Sequence, residues 1–376
     1  MTLINFLTRV HFADGVLEEA LRSEIEANGK KRPLVIVDDT RIPKLNAERF
    51  FSGFPARTDP IIFSDIPRTP TEAAARAIAQ TYSQNECDVL VVYGSNWAID
   101  LAKAARVAIA YDDPIDEMSV EEGGARRING DLPDLFAVPD ILGFASAISD
   151  YARLTLDGGR QILLSSRNLI PSVTICDPTL TMGTPPKDSA VAAAGVFCRA
   201  IDSYMSPRYH PPADGLALDA LNRIHLNIGP AISHDCSTAR RELMAAGLNS
   251  SLSLQKGLCA IHALCNSITS ASKAKPNASA VGGVIISHLV EFYEQSIDTE
   301  FDQLKRVLRI EEDRSLTQGL RKILGQWPIP QSLSELDVEL GSLGTAANIA
   351  AKDRAIISGP RNLNKTEIRQ LFSRAY

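Results

Sequence analysis

The sequence predicts an open α/β domain at the N-terminus followed by an all-α C-terminal domain. Three observations carry this reading. Short, apolar, β-branched runs alternate with helix-length segments as far as Pro178. Beyond Asp177-Pro178-Thr179 the alternation stops, and from Ser189 onward the chain is rich in Ala and Leu at helical spacing, with few β-branched runs. At 376 residues the chain is long enough for two domains with a large buried core.

The strands are read in order. Leu34-Val35-Ile36-Val37, Ile61-Ile62-Phe63 and Val89-Leu90-Val91-Val92-Tyr93 are continuous apolar runs, separated by segments such as Pro70 to Tyr82 that suit crossover helices. Continuous rather than alternating apolar runs belong to parallel strands buried on both faces. Leu135-Phe136-Ala137-Val138 adds another strand. Ala152 to Leu156 and Gln161 to Leu164 flank Gly158-Gly159 as a hairpin, and Ser172-Val173-Thr174-Ile175 closes the series. The boundary falls near Pro178, giving domains 1–178 and 179–376. In the helical half the polar stretch Ser270 to Asn277 reads as a loop.

Composition narrows the function classes. Hydrophobic residues make up 45% and charged residues 22%, with a net charge of -6 and no concentrated basic face, so a nucleic-acid partner is not expected. No apolar run reaches the length of a membrane span, and the first residues lack a signal-peptide pattern, so a cytoplasmic location is expected. The six cysteines are dispersed without a Cys-x-x-Cys pair, which suggests buried reduced thiols rather than disulfides or a thiolate zinc site.

The strand ending at Tyr93 runs into Gly94-Ser95-Asn96-Trp97-Ala98-Ile99-Asp100-Leu101-Ala102-Lys103. A strand, a small-residue turn and a helix bring backbone N–H groups and a positive helix end to one place, where a pyrophosphate can sit. The same pattern is also an ordinary strand-to-helix connection. Asp38-Asp39 ends an earlier strand, and a carboxylate there suits a ribose diol and repels a 2′-phosphate. It reads equally as a capping Asp in a turn.

The order of motifs resembles the iron-containing alcohol dehydrogenases of the dehydroquinate synthase-like superfamily. Residues 94–103 fall on the family's Gly-Gly-Gly-Ser-x-x-Asp-x-Ala-Lys segment, with two glycines and the serine replaced. Val138-Pro139 with Gly143 to Ser149 is similar to Val-Pro-Thr-Thr followed by Gly-Thr-Gly-Ser-Glu-Val-Thr. Ile175 to Thr181, Trp327 to Leu336 and Gly359-Pro360-Arg361 continue the likeness almost to the C-terminus. The resemblance implies a dehydroquinate synthase-like fold, an NAD(H) cofactor and a homodimer. It places Asp39, Gly94, Ser95, Asn96, Asp100, Lys103 and Ser146 at the cofactor, with Asp39 discriminating NAD from NADP.

The resemblance also implies a divalent metal held by one Asp and three His, and here the sequence departs from it. Ala193 to Tyr204 matches the family's Gly-Met-Asp-Ala-Leu-x-His-Ala-Ile-Glu-Ala-Tyr, which puts Gly195 at the Asp and Arg199 at the first His. Glycine has no donor, and a guanidinium stays cationic. His262 falls on a retained His. Asn266 replaces the second His of His-x-x-x-His, and Asn277 replaces the His of Pro-His-Gly. No metal is therefore expected.

Arg199, His262, Asn266 and Asn277 become the candidate catalytic residues of a metal-independent reductase acting on a small anionic carbonyl compound. Maleylacetate reductases, in the same superfamily, show a likeness in weakened metal dependence. Arg199 reads alternatively as a structural partner of Asp202, and His262 as a core or interface histidine. A catalytically degenerate relative, serving as a pseudoenzyme or assembly partner, remains the competing reading.

Overall fold

The computed structural model describes residues 8–38, 42–67, 69–294 and 299–376. The described chain separates into two compact units, divided after Met182. The sequence reading put the boundary near Pro178, to within several residues. The difference has a local cause: Asn46 Nδ2 donates to Leu180 O at 3.1 Å and Arg49 Nη1 to Thr179 Oγ1 at 2.8 Å, so these residues stay with the first unit.

In the first unit the elements are β1 (Arg9–Phe12), α1 (Leu17–Ala27), β2 (Pro33–Val37), α2 (Lys44–Ser52), β3 (Ile61–Phe63), α3 (Glu72–Gln84), β4 (Val89–Gly94), α4 (Asn96–Ala110), β5 (Leu135–Pro139), β6 (Tyr151–Thr155), β7 (Gln161–Ser165) and β8 (Val173–Cys176). The six-stranded sheet has the order β1-β8-β5-β4-β2-β3 and is parallel throughout, with Leu34 paired to Leu90 and Val92 to Ala137. Every residue of β2, β4 and β5 is buried. One face packs Val35, Val91, Phe136 and Ile175 against Leu17, Leu21 and Phe50 of the covering helices.

The hairpin expected around Gly158-Gly159 forms from β6 and β7 as a separate antiparallel pair. Gly159 turns it with φ +80°, a conformation glycine adopts without Cβ strain. β1 was not anticipated, because Arg9-Val10-His11-Phe12 is short and half polar. It is an edge strand whose Arg9 and His11 both reach Glu24 of α1.

Among the described residues the second unit is helical: α5 (Pro186–Met205), α6 (Pro211–Ser233), α7 (Ser237–Ser253), α8 (Ala260–Ala271), α9 (Ala278–Glu294), α10 (Thr299–Val307), α11 (Leu316–Leu324), α12 (Leu343–Ala350) and α13 (Lys365–Arg374). Proline opens α5 and α6, where its missing N–H costs nothing. α5 and α9 run through the middle, with Phe197, Ile201, Ile285 and Ile286 fully buried. Residues 272–277 connect α8 to α9. No described helix is long and apolar enough to cross a membrane.

Candidate active site

The sheet order places a topological switch between β2 and β4. The chain leaves β2 to form β3 on one side, then returns to form β4 on the other. Crossover helices diverge at such a point and leave a crevice beyond the carboxyl ends of the two strands, where nucleotides bind. The loop after β4 begins with Gly94 at φ +148°, where a Cβ would stand 3.2 Å from Ala98 Cβ. A side chain there would be strained, which explains why this glycine remains when the next two are replaced. Ser95 takes the N-cap position of α4, yet its side chain makes no capping bond and its Oγ is buried without a partner. The uncapped, positive start of α4 is thus open to an anionic group.

Asn96 does what no glycine can do at this position. Its Nδ2 donates to Gly143 O at 2.6 Å, and its Oδ1 accepts from Ser146 N at 2.9 Å. One side chain therefore clasps the 143–146 segment to the loop after β4. Ser146 itself is buried in a short 3₁₀ turn, Ala145–Ala147. Asp39 lies outside the described residues.

Lys103 requires a correction. It is fully buried, and Nζ donates to Ser149 O at 2.7 Å, Ser149 Oγ at 3.3 Å and Tyr151 O at 2.9 Å. An ammonium has three protons, so no donor is left for a phosphate. Burial lowers its pKa to about 8, against the nearby Asp100 and Asp150 carboxylates. Asp100 is buried too, and its Oδ2 accepts from Arg153 N at 3.2 Å. Both residues hold the start of β6 from inside α4.

The sequence reading missed two groups beside the crevice. Asp140, directly after β5, has an Oδ1 that is buried without a partner, and burial pushes its pKa up to about 6. Tyr93 Oη is also buried, beside Asn46 and Asp140, with no well-formed hydrogen bond. Asp177, next to the end of β8, is a structural hub. It accepts from Gly15 N at 2.9 Å and Thr179 N at 3.0 Å, and pairs with Arg49 at 2.7 Å. Burial opposes its ionisation, but the bonds from Thr179, Gly15 and Arg49 outweigh that and hold its pKa below the ordinary carboxylate range.

In the helical unit α5, α8 and α9 meet where a Cβ on Gly282 would lie 3.5 Å from Cys265 Sγ and 3.6 Å from Cys198 Sγ. One turn earlier on α5, a Cβ on Gly195 would stand 2.7 Å from Ser279 Cβ, closer than side chains pack. Arg199, the next turn on the same face, is half-buried, and its Nε donates to Ser250 Oγ at 3.0 Å. It does not pair with Asp202, whose Oδ2 instead accepts from Ile261 N at 2.6 Å at the start of α8. His262 and Asn266 follow on α8, four residues apart, on one face, both half-buried. Asn277 is exposed, and its Oδ1 accepts from Ser279 N at 2.8 Å at the start of α9, leaving only Nδ2 to offer elsewhere.

Residues 8–178 match the iron-containing alcohol dehydrogenase family, and residues 189–376 match its C-terminal domain. The chain belongs to this family. It is an oxidoreductase of the alcohol dehydrogenase type. It is 26% identical to a 4-hydroxybutyrate dehydrogenase of Cupriavidus necator, over 100% of both chains. It is 29% identical to a sulfoacetaldehyde reductase of Bilophila wadsworthia, over 42% of this chain and 40% of that one. Among solved structures, an alcohol dehydrogenase from Oenococcus oeni superposes with a TM-score of 0.91 at 20% identity, covering 100% of both chains. At that identity the likeness speaks for the fold.

As an iron-containing alcohol dehydrogenase by family, the chain has residues that do not fit the metal. Gly195 offers no donor, and the space beside it is filled by Ser279. Arg199 brings a positive charge, and Asn277 is committed to capping α9. His262 alone keeps a ligand type. Among the described residues no group of three or more His, Cys, Asp or Glu side chains is placed to hold an ion. Fewer than three protein ligands do not make a catalytic site of this kind.

Proposed function

We propose that the chain is a metal-independent, NAD(H)-dependent oxidoreductase that reduces the carbonyl of a small, carboxylate-bearing substrate to an alcohol. The observation that carries this reading is the Gly195–Arg199 turn of α5: a fixed cation stands at a ligand position, one turn from a position that Ser279 closes. Bound NADH supplies the hydride. The open start of α4, with the unpartnered Ser95 Oγ and the loop clasped by Asn96, receives the cofactor's phosphates. Arg199 clamps the substrate's anionic group or steadies the developing alkoxide, supplying the positive charge a metal would otherwise provide. His262 donates or relays the proton the alkoxide takes up. Asn266 and Asn277 Nδ2 add neutral hydrogen bonds. Two relatives carry names with anionic compounds in them, a hydroxybutyrate and a sulfoacetaldehyde, which supports an anionic substrate. We further propose a cytoplasmic homodimer with preference for NADH, the preference resting on Asp39.

The test combines three measurements on the purified chain. NADH fluorescence is expected to show saturable binding, and NADPH weaker binding. Metal analysis is expected to find less than stoichiometric iron or zinc, and chelation is expected to leave turnover of short aldehyde carboxylates unchanged. Arg199→Ala is expected to lower kcat/KM by about 10²-fold or more, in the range of removing one donor to a developing oxyanion, with NADH affinity preserved. Stoichiometric metal needed for turnover would overturn the metal-independent reading. NADH binding without turnover of any such compound would favour a catalytically degenerate family member.

A further inference from the structure

Three polar atoms around the carboxyl ends of β4 and β5 are buried without a partner: Tyr93 Oη, Ser95 Oγ and Asp140 Oδ1. Tyr93 and Ser95 flank Gly94 in the chain, and Gly94 pairs in register with Pro139 and accepts the Asp140 N–H at 3.4 Å. Buried polar atoms in folded chains are nearly always satisfied, and each orphan needs a reason. Three around one glycine, at a switch-point crevice, have a common one: a ligand with several hydroxyl or amide groups completes them.

Asp140 is the most informative of the three, because its charge restricts what it can meet. Among the described residues no cation pairs with it. Among the described residues, the charged groups acting on the neighbouring Tyr93 hydroxyl are Asp140 itself, Arg49 of α2 and Asp177 beside β8, and the last two are paired with each other at 2.7 Å. Asn46 of α2 gives one Nδ2 proton to Leu180 O and keeps its second beside the Tyr93 hydroxyl. An ionised carboxylate only accepts hydrogen bonds, and it repels phosphate. The group opposite Asp140 must therefore be a neutral donor, which leaves the phosphates to the start of α4.

We propose that Asp140 Oδ1 accepts a hydrogen bond from a ribose hydroxyl or the carboxamide of the bound dinucleotide, so that this one carboxyl governs how tightly the cofactor is held. The inference rests on the nicotinamide-cofactor reading. In the ligand-free chain burial already holds the carboxyl partly protonated near pH 6. A neutral donor binds the ionised form, so acid competes with the cofactor. Affinity is full above pH 7 and falls as the pH drops through 6.

The experiment is a fluorescence titration of the full chain with NADH between pH 5 and 8, for wild type, Asp140→Asn and Asp140→Ala. For wild type the Kd is expected to be flat above pH 7 and to rise below pH 6 toward about tenfold per pH unit, the limit for one proton. Asp140→Asn removes the acid limb and weakens binding several-fold at pH 8, and Asp140→Ala does the same or more. Thermal unfolding of each variant at pH 8 confirms folding, with Asp140→Asn at or above the wild-type Tm because a buried charge has gone. Wild-type binding with an acid limb unchanged in Asp140→Asn would overturn the proposal while leaving the cofactor reading intact. Affinity that strengthens in acid would also overturn it, by placing a phosphate at Asp140. Absence of NADH and NADPH binding to the wild type at every pH would bring down the cofactor reading itself, and this inference with it.

Discussion

Replacing Gly195 by alanine asks whether the helix packing that excludes a metal ligand is as tight as it stands. The added Cβ would lie 2.7 Å from Ser279 Cβ and 3.5 Å from Ser279 Cα, with Ser279 Oγ nearer still. Carbon atoms in contact prefer about 3.5–4.0 Å. Rotating Ser279 moves Oγ but leaves its Cβ fixed, so α5 and α9 must part by the better part of an ångström. Overpacking of this kind costs about 1–3 kcal/mol. Alanine returns about 0.5–1 kcal/mol by restricting the unfolded chain at a helix-interior position. A net loss of roughly 1–2 kcal/mol lowers the Tm of a unit this size by about 2–8 °C.

The assay is thermal and urea unfolding in a Trp97→Phe background. Trp327, which packs edge-on to Phe197 of α5 at 5.4 Å, then reports the helical unit alone. Ser279→Gly in the same chain is expected to recover most of the loss, and Ser279→Ala less, since it keeps the Cβ. The double-mutant cycle should show coupling of about 1 kcal/mol. A Gly195→Ala protein as stable as wild type, or a cycle with no coupling, would refute the packing argument. Gly195→Asp would then deserve a metal titration, which is otherwise expected to show no stabilisation by iron or zinc.

Asn96→Ala removes the bonds to Gly143 O and from Ser146 N, leaving backbone groups of two buried residues unsatisfied at about 1–3 kcal/mol each; NADH affinity is expected to fall at least tenfold by fluorescence titration, and an unchanged Kd would show that the clasp does not shape the cofactor loop. Burial raises the pKa of Asp202 to about 7, so its folded value lies above its unfolded one. Stability is therefore full below pH 4 and is lost progressively as pH rises from 4 through 7, by about 4 kcal/mol at most for a shift of roughly three units. Asp202→Asn keeps an acceptor for Ile261 N and removes the loss. Its Tm should match wild type near pH 4 and exceed it increasingly up to pH 8, and parallel pH curves for the two proteins would sink this assignment.

The sheet was legible where burial leaves a mark on the residue types. β2, β4 and β5 are continuous apolar runs because both their faces are covered, whereas β1 lies at an edge and alternates with polar residues. The site was legible only as an order of motifs. Lys103 occupies a motif position, and nothing local reveals that its ammonium points into a cage of carbonyls rather than toward a phosphate. Gly195 shows the loss of a donor, but its reason is Ser279, which the chain brings alongside much later. Asp140 carried a detectable signal, an acidic residue immediately after a fully apolar strand, the same cue that drew attention to Asp38 and Asp39.

The position of β8 has a consequence for how the first unit comes into being. It is the last strand synthesised, yet it lies between β5 and β1. Until residue 176 has left the ribosome, β1 has no neighbour and β5 presents an open row of N–H and C=O groups. The knot at Asp177, which ties Gly15, Arg49 and Thr179 together, forms last of all. Such late, long-range closure makes for slow folding and a prolonged exposure of sticky edges. Truncations ending before Asp177 should accordingly yield aggregates rather than a smaller nucleotide-binding domain, and cellular yield should respond to chaperone supply and growth temperature more than to changes on the helical surface.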